Sequence, residues 1–122
     1  MQNLIYLTTQ LQRHLEKLKQ TFEQDNKPDK GVTFFQKVKK ETEPIFHILD
    51  QWERESLDTL NRVDISLYPQ QITSTKENME ALLLYSYYKD VRKRRYMEIY
   101  KSCHYIYATL LKEIQDAGQT DS

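Results

Sequence analysis

The stretch that most constrains the fold is residues 76–114, which contain neither Gly nor Pro. Apolar or aromatic side chains recur there every three or four positions, the period of an amphipathic α-helix. The stretch also holds most of the tyrosines and the densest basic run. A single helix of about 40 residues would extend about 60 Å, too far for the preceding helices to cover. We therefore predict two antiparallel helices joined by a short turn between Tyr88 and Lys93, with Asp90 as a cap.

The N-terminal segment predicts a first helix over residues 3–24, with Asn3 as its N-cap. Its apolar side chains keep a spacing of three or four: Leu4, Leu7, Leu11, Leu15, Leu18 and Phe22. Polar residues lie between them, so one face of this helix is apolar. Residues 25–31 are rich in turn-forming residues and predict a loop.

The next segment continues the same spacing and predicts a second helix. Its ladder consists of Phe35, Val38, Thr42, Ile45, Leu49, Trp52, Ser56, Leu60 and Val63. Pro44 lies within this ladder, and an interior proline removes a hydrogen bond and clashes with the preceding turn. We therefore expect a kink or break at residues 40–44, with Thr42 or Glu43 capping a restarted helix. Trp52 is predicted to be the main core aromatic residue.

Pro69 suits the first turn of a third helix. The side chains predicted to point inward from the third and fourth helices are Ile72, Met79, Leu82, Leu83, Ser86, Tyr96, Ile99, Cys103, Ile106, Leu110 and Ile114. Short loops between helices of similar reach are typical of an up-and-down bundle. The predicted fold is thus all-α, an up-and-down antiparallel four-helix bundle whose second helix is kinked or broken near Pro44. Residues 1–117 form one domain and residues 118–122 a polar tail.

The formal net charge is zero, but the charges are unevenly distributed. Residues 1–40 carry eight Lys/Arg against four Asp/Glu, residues 41–88 three against nine, and residues 89–122 seven against five. In a bundle the acidic middle segment can lie beside its basic neighbours, and the charges then compensate one another. The alternative is one acidic and one basic face for a partner.

The sequence predicts a soluble, cytoplasmic protein with no membrane partner. Cys103 is the only cysteine, so no intramolecular disulfide can form. The N-terminus lacks the features of a signal peptide, and no segment approaches the roughly 20 apolar residues that span a bilayer.

No arrangement of residues favours catalysis, so we expect no enzyme activity, no catalytic residues, no cofactor and no metal site. The residue three positions before each of His14, His47 and His104 is not Glu, which excludes the Glu-x-x-His motif of di-iron bundles. Cys103 lies on the predicted inward stripe, where a thiol behaves as a small apolar group. A metal site or an enzyme built from scattered residues is the remote alternative.

The basic run and its neighbouring tyrosines are the candidate interaction surface. Its predicted members are Tyr87, Tyr88, Arg92, Arg94, Arg95, Tyr96 and Tyr100. Tyr and Arg are enriched in binding hot spots, so the leading hypothesis is a protein–protein interaction or adaptor module whose protein partner is unknown. The alternative is a nucleic-acid-binding module in which residues 87–96 contact phosphates and stack on bases. Homo-oligomerisation is compatible with either hypothesis.

Dispersed positions resemble the YppE-like family of small proteins from Bacillus, Listeria and Staphylococcus relatives. The resemblance spans residues 30–115 and rests on Phe34-Phe35, Trp52, Gln71-Ile72, Lys76-Glu77-Asn78, Ser86-Tyr87 and Lys93-Arg94-Arg95-Tyr96. It implies a four-helix bundle. The family has no established activity, so the resemblance assigns no catalytic or binding residue. The segment before Tyr68 departs from the more basic, Pro-containing connection expected in relatives.

Overall fold

The computed structural model describes residues 1–24 and 31–120, and it places them in four α-helices. These are α1 (Gln2–Glu23), α2 (Val32–Arg62), α3 (Pro69–Tyr88) and α4 (Lys93–Thr120). The predicted all-α fold is confirmed. Side chains are described up to Gly118, and α4 continues two residues beyond this glycine. The predicted loop at residues 25–30 lies outside the described residues.

The four helices pack as an up-and-down bundle. Contacts join α1 to α2, α2 to α3, α3 to α4 and α4 to α1, and α1 also meets α3 across the diagonal. Among the described residues, the backbones of α2 and α4 do not approach each other, and these two helices meet through side chains. The C-terminal ends of α1 and α3 therefore lie at the same end of the bundle as the N-terminal ends of α2 and α4. No helix in the described part of the chain is long and apolar enough to cross a membrane.

The core consists of the predicted apolar stripes, which face one another. The five leucines of α1 are buried, as are all the residues predicted to point inward from α3 and α4. Burying a side chain such as Leu or Ile contributes about 1.5–3 kcal/mol. The spacing of these residues therefore accounts for which face of each helix is turned inward.

Trp52 is fully buried, as predicted, and its polar atom is satisfied inside the core. Its indole Nε1 donates a hydrogen bond of 3.0 Å to Oγ1 of Thr8 on α1. The Thr8 hydroxyl donates in turn to the carbonyl oxygen of Leu4 at 2.7 Å. The Trp52 ring also meets Tyr107 of α4 edge-on, with ring centroids 5.2 Å apart. Trp52 thus connects three of the four helices.

Of the kink or break predicted at residues 40–44, the break is wrong, because α2 runs without interruption from Val32 to Arg62. Thr42 does not cap a restarted helix; its hydroxyl donates to the carbonyl oxygen of Val38 at 2.8 Å. Proline has no amide hydrogen, so the carbonyl of Lys40 lacks its usual helical donor. The buried residues on both sides of Pro44 hold the helix together, since packing outweighs the local cost.

The predicted turn between α3 and α4 is confirmed, but two predicted caps are wrong. Lys89 ends α3 in the left-handed conformation, with φ 55°. Because α4 begins at Lys93, the cap position belongs to Arg92 and not to Asp90. The N-cap of α1 is Met1, and the Asn3 side chain instead donates to a carboxylate oxygen of Glu55 at 2.7 Å.

We expect Thr8→Val to lower the free energy of unfolding by about 1–3 kcal/mol, because the nearly isosteric change leaves the buried indole N–H of Trp52 without an acceptor. Thr9→Val is the matched control, since its hydroxyl donates only to the carbonyl oxygen of Ile5 and is half-buried. Urea unfolding measures both variants. Equal losses of stability would contradict a special role for the Trp52–Thr8 hydrogen bond.

Candidate interaction surface

The arginines at the start of α4 extend into solvent. The Arg94 side chain is 93% exposed and that of Arg95 is 63% exposed. Both approach the carboxylate of Glu98, at 3.6 Å and 3.7 Å respectively. These are long, exposed ion pairs of the kind that contribute little to stability. One carboxylate thus lies beside two guanidinium groups, with exposed Arg92 and Lys93 next to them.

The position of these cations is unfavourable for the helix itself. The N-terminus of an α-helix carries a partial positive charge, and each cation placed there costs about 0.3–1 kcal/mol at an exposed site. No acidic residue lies in the first turn of α4. The start of α4 therefore concentrates positive charge that the helix does not need for its own stability.

Tyr96 does not belong to the surface, although it was a predicted member. Its side chain is fully buried, and its ring stacks on Phe22 of α1 with centroids 3.9 Å apart. The hydroxyl group lies 2.6 Å from Oγ of Ser86 on α3. Burial raises the pKa of Tyr96 to about 12. Tyr96 is therefore a core residue that joins α4 to α1 and α3.

Tyr87 and Tyr88 are half-buried at the end of α3, and both contact α2. Burial raises the pKa of Tyr87, and the hydrogen bond from its hydroxyl to the carboxylate of Glu41 raises it further. Tyr88 meets Phe34 edge-on, with ring centroids 5.5 Å apart. These two side chains help to attach α3 to the N-terminal part of α2.

Tyr100 lies on the other side, at the seam between α4 and α1. Its hydroxyl donates to the carboxylate of Glu16, and Nζ of Lys19 lies 5.2 Å from the centre of its ring. Burial and the hydrogen bond to Glu16 raise the pKa of Tyr100 to about 12. The predicted tyrosines therefore contact three other helices, α1, α2 and α3, whereas the arginines extend into solvent.

The helical spacing also led to a wrong prediction for one aromatic residue at this end of the bundle. Phe35 was predicted to be part of the inward ladder of α2, but its side chain is 59% exposed. Val32, one turn earlier, is 73% exposed. Both belong to the first turns of α2, where the helix extends beyond the core and its apolar face has less to pack against.

The ion pairs found among the described residues do not join the basic segments to the acidic one. They are Lys19–Glu23, Arg62–Asp58, Lys76–Asp50, Lys76–Glu53, Arg94–Glu98 and Arg95–Glu98. Each lies within a single one of the three segments defined by charge. The predicted compensation between segments is therefore not carried by these pairs, and the start of α4 keeps its positive charge.

The candidate metal ligands and the candidate nucleophile do not come together in one site in the described part of the chain. Within residues 1–24 and 31–118, no group of three or more His, Cys, Asp or Glu side chains is arranged to hold a metal ion. Cys103 is buried, and burial raises the pKa of its thiol to about 12. A thiol is nucleophilic only as the thiolate, so Cys103 fills space in the core, as its position on the stripe predicted.

Comparison with known proteins places the chain in a family. Residues 8–114 match the bacterial domain of unknown function DUF1798. The chain belongs to the DUF1798 family. The DUF1798 match begins before residue 30, where the resemblance noted in the sequence began. No curated protein matches the chain.

Two solved structures of the protein yppE from Bacillus subtilis share the DUF1798 fold seen here. The X-ray crystal structure matches with a TM-score of 0.85 and 24% identity, over 97% of this chain and 97% of that one. The solution NMR structure matches with a TM-score of 0.78 and 24% identity, over 100% and 98%. The predicted resemblance to the YppE-like family is thus confirmed, and these likenesses show the fold.

We expect Tyr96→Phe to lower the free energy of unfolding by about 0.5–1.5 kcal/mol, because it removes the buried hydroxyl group near Ser86 but keeps the ring stacked on Phe22. Tyr105→Phe is the control, since Tyr105 lies on the same helix and is exposed; its effect should stay within about 0.5 kcal/mol. Thermal and urea unfolding measure both. If Tyr96→Phe left stability unchanged, the assignment of Tyr96 to the core would fail.

Proposed function

We propose that the protein is a cytoplasmic protein–protein interaction module without catalytic activity, and that Arg92, Arg94 and Arg95 contact an acidic surface of its partner. The observation that carries the proposal is the cluster of exposed cations at the N-terminus of α4, where Arg94 and Arg95 share the carboxylate of Glu98. Sequences that break a local stability rule tend to do so at functional sites. An acidic partner would relieve the repulsion that the helix leaves in place.

The chemistry of arginine supports a protein partner. Guanidinium groups bind carboxylates through paired hydrogen bonds and are enriched in interface hot spots. Complementary charge also speeds association and favours the correct partner. The long contacts to Glu98 leave donors on Arg94 and Arg95 free for such bonds, since each guanidinium group carries five N–H donors.

Nucleic acid is the second candidate, because exposed arginines bind phosphates as well as carboxylates. That hypothesis also used tyrosines for stacking on bases. In the structure, however, Tyr96 is buried, Tyr88 packs on Phe34 and the Tyr100 hydroxyl donates to Glu16. The formal net charge of zero likewise gives no general attraction to a polyanion. The engaged tyrosines favour the protein partner.

We expect the triple variant Arg92→Glu, Arg94→Glu and Arg95→Glu to lose the partner that the wild-type protein captures from native cytosol. A single hot-spot arginine contributes about 2 kcal/mol, so binding should weaken by at least about 30-fold. Affinity capture with quantitative mass spectrometry identifies the partner, and titration with the purified partner measures the loss.

The control reverses three exposed lysines elsewhere, Lys39, Lys101 and Lys112, and changes the net charge by the same amount. It should capture the same partner as the wild type. If the arginine variant captured the same partner as the wild type, the arginine surface would be excluded as the binding site. A mobility shift with nucleic acid at two salt concentrations separates the second candidate: salt-sensitive binding that the arginine variant loses would replace the protein partner with nucleic acid.

A further inference from the structure

A groove separate from the arginines opens between α1 and α2, next to Pro44. Leu18 of α1 and Pro44 and Ile45 of α2 contribute its apolar walls, and Tyr87 of α3 closes one end. Its volume is about 450 Å³. This lies within the range of about 300–1,000 Å³ that is typical of small-molecule sites.

Pro44 has no evident structural reason to occupy its position. An interior proline costs a helix about 3 kcal/mol, and the exposed Pro44 side chain lies outside the core. Its ring instead lines the groove and also a second, neighbouring depression of about 440 Å³ on the outer side of α2. The groove wall is therefore the structural feature to which this proline contributes.

The polar groups that line the groove among the described residues carry one net positive charge at neutral pH. Lys17 and Lys40 are cationic, whereas the Glu41 carboxylate accepts the hydrogen bond from Tyr87. The imidazole of His14 is half-buried in the wall, and burial together with the nearby Lys17 lowers its pKa. His14 is thus neutral and offers one donor and one acceptor.

We propose that this groove binds a small organic monoanion, a carboxylate attached to an apolar body. The carboxylate lies between the Lys17 and Lys40 ammonium groups, and the apolar body covers Leu18, Pro44 and Ile45. The observations that carry the proposal are the concave apolar wall, the two flanking cations and the half-buried imidazole. Such convergence of an apolar pocket with a few polar groups is the usual mark of a ligand site.

The net charge of the groove disfavours ligands that carry more than one negative charge. Within the described part of the chain no arginine lines the groove to make paired contacts to phosphate, and the Glu41 carboxylate would repel a second negative charge. A neutral apolar ligand would leave one positive charge of the groove without a counter-charge. A single carboxylate matches the net charge of the site. The proposal is independent of the arginine surface, since Arg92, Arg94 and Arg95 do not line the groove.

The test uses 3-phenylpropionate as the probe and the neutral 3-phenylpropionamide as its matched compound. Titration followed by amide NMR signals should give saturable shifts, confined to residues 14–21 and 40–45 and to Tyr87, with a dissociation constant in the millimolar range for so small a ligand. The amide should bind at least about fivefold more weakly, because it lacks the charge that the two ammonium groups attract.

Two variants of α2 separate binding in the groove from general attraction to cations. Lys40→Glu should weaken binding of 3-phenylpropionate by at least about tenfold, because it reverses a charge at the groove. Lys37→Glu, an exposed residue outside the groove, should leave binding unchanged. Non-saturating shifts, shifts spread over the surface, or equal effects of the two variants would overturn the proposal. Amide spectra of both variants confirm that the fold is intact.

Discussion

The hydrogen bond from Trp52 to Thr8 is the contact on which the arrangement of the bundle most depends. It lies in the dry interior, where an unpaired indole N–H would cost about 1–3 kcal/mol, and it joins side chains 44 residues apart in sequence. If only apolar stripes were in contact, neighbouring helices could slide past each other by one turn with little loss of packing free energy. A buried polar pair is satisfied in one register only, so this bond fixes α1 relative to α2, and the edge contact with Tyr107 adds α4.

The fold could be predicted from the sequence because the inward positions keep a helical spacing and most of them are filled by Leu, Ile, Met or an aromatic residue. The position of the α3–α4 turn followed from a length argument, since no glycine or proline marks it. The predictions of the helix caps were wrong for a different reason. Met1 and Arg92 occupy cap positions without side-chain cap chemistry, so the preference for Asn or Asp misled the prediction. At Pro44 the packing on both sides outweighed the local cost.

The candidate site was only partly predictable. The sequence identified the basic run, but whether a tyrosine is buried depends on which neighbouring side chain lies opposite it. Tyr96 faces Phe22 and Ser86, whereas Tyr105, nine positions later on the same helix, faces solvent. The groove was missed because it requires His14 and Lys40 to lie close together on different helices. The one signal was Pro44, which was interpreted as a kink or break in the helix.

Each ion pair found in the described residues joins neighbours on one helix or on the adjoining helices α2 and α3, and all are at least partly exposed. The free energy that holds the helices together comes from the interior, which dissolved ions do not screen. A change in ionic strength therefore alters the interactions of the surface charges and leaves the packing of the four helices intact. A partner held by the charges proposed above would thus be released by salt while the bundle stays folded.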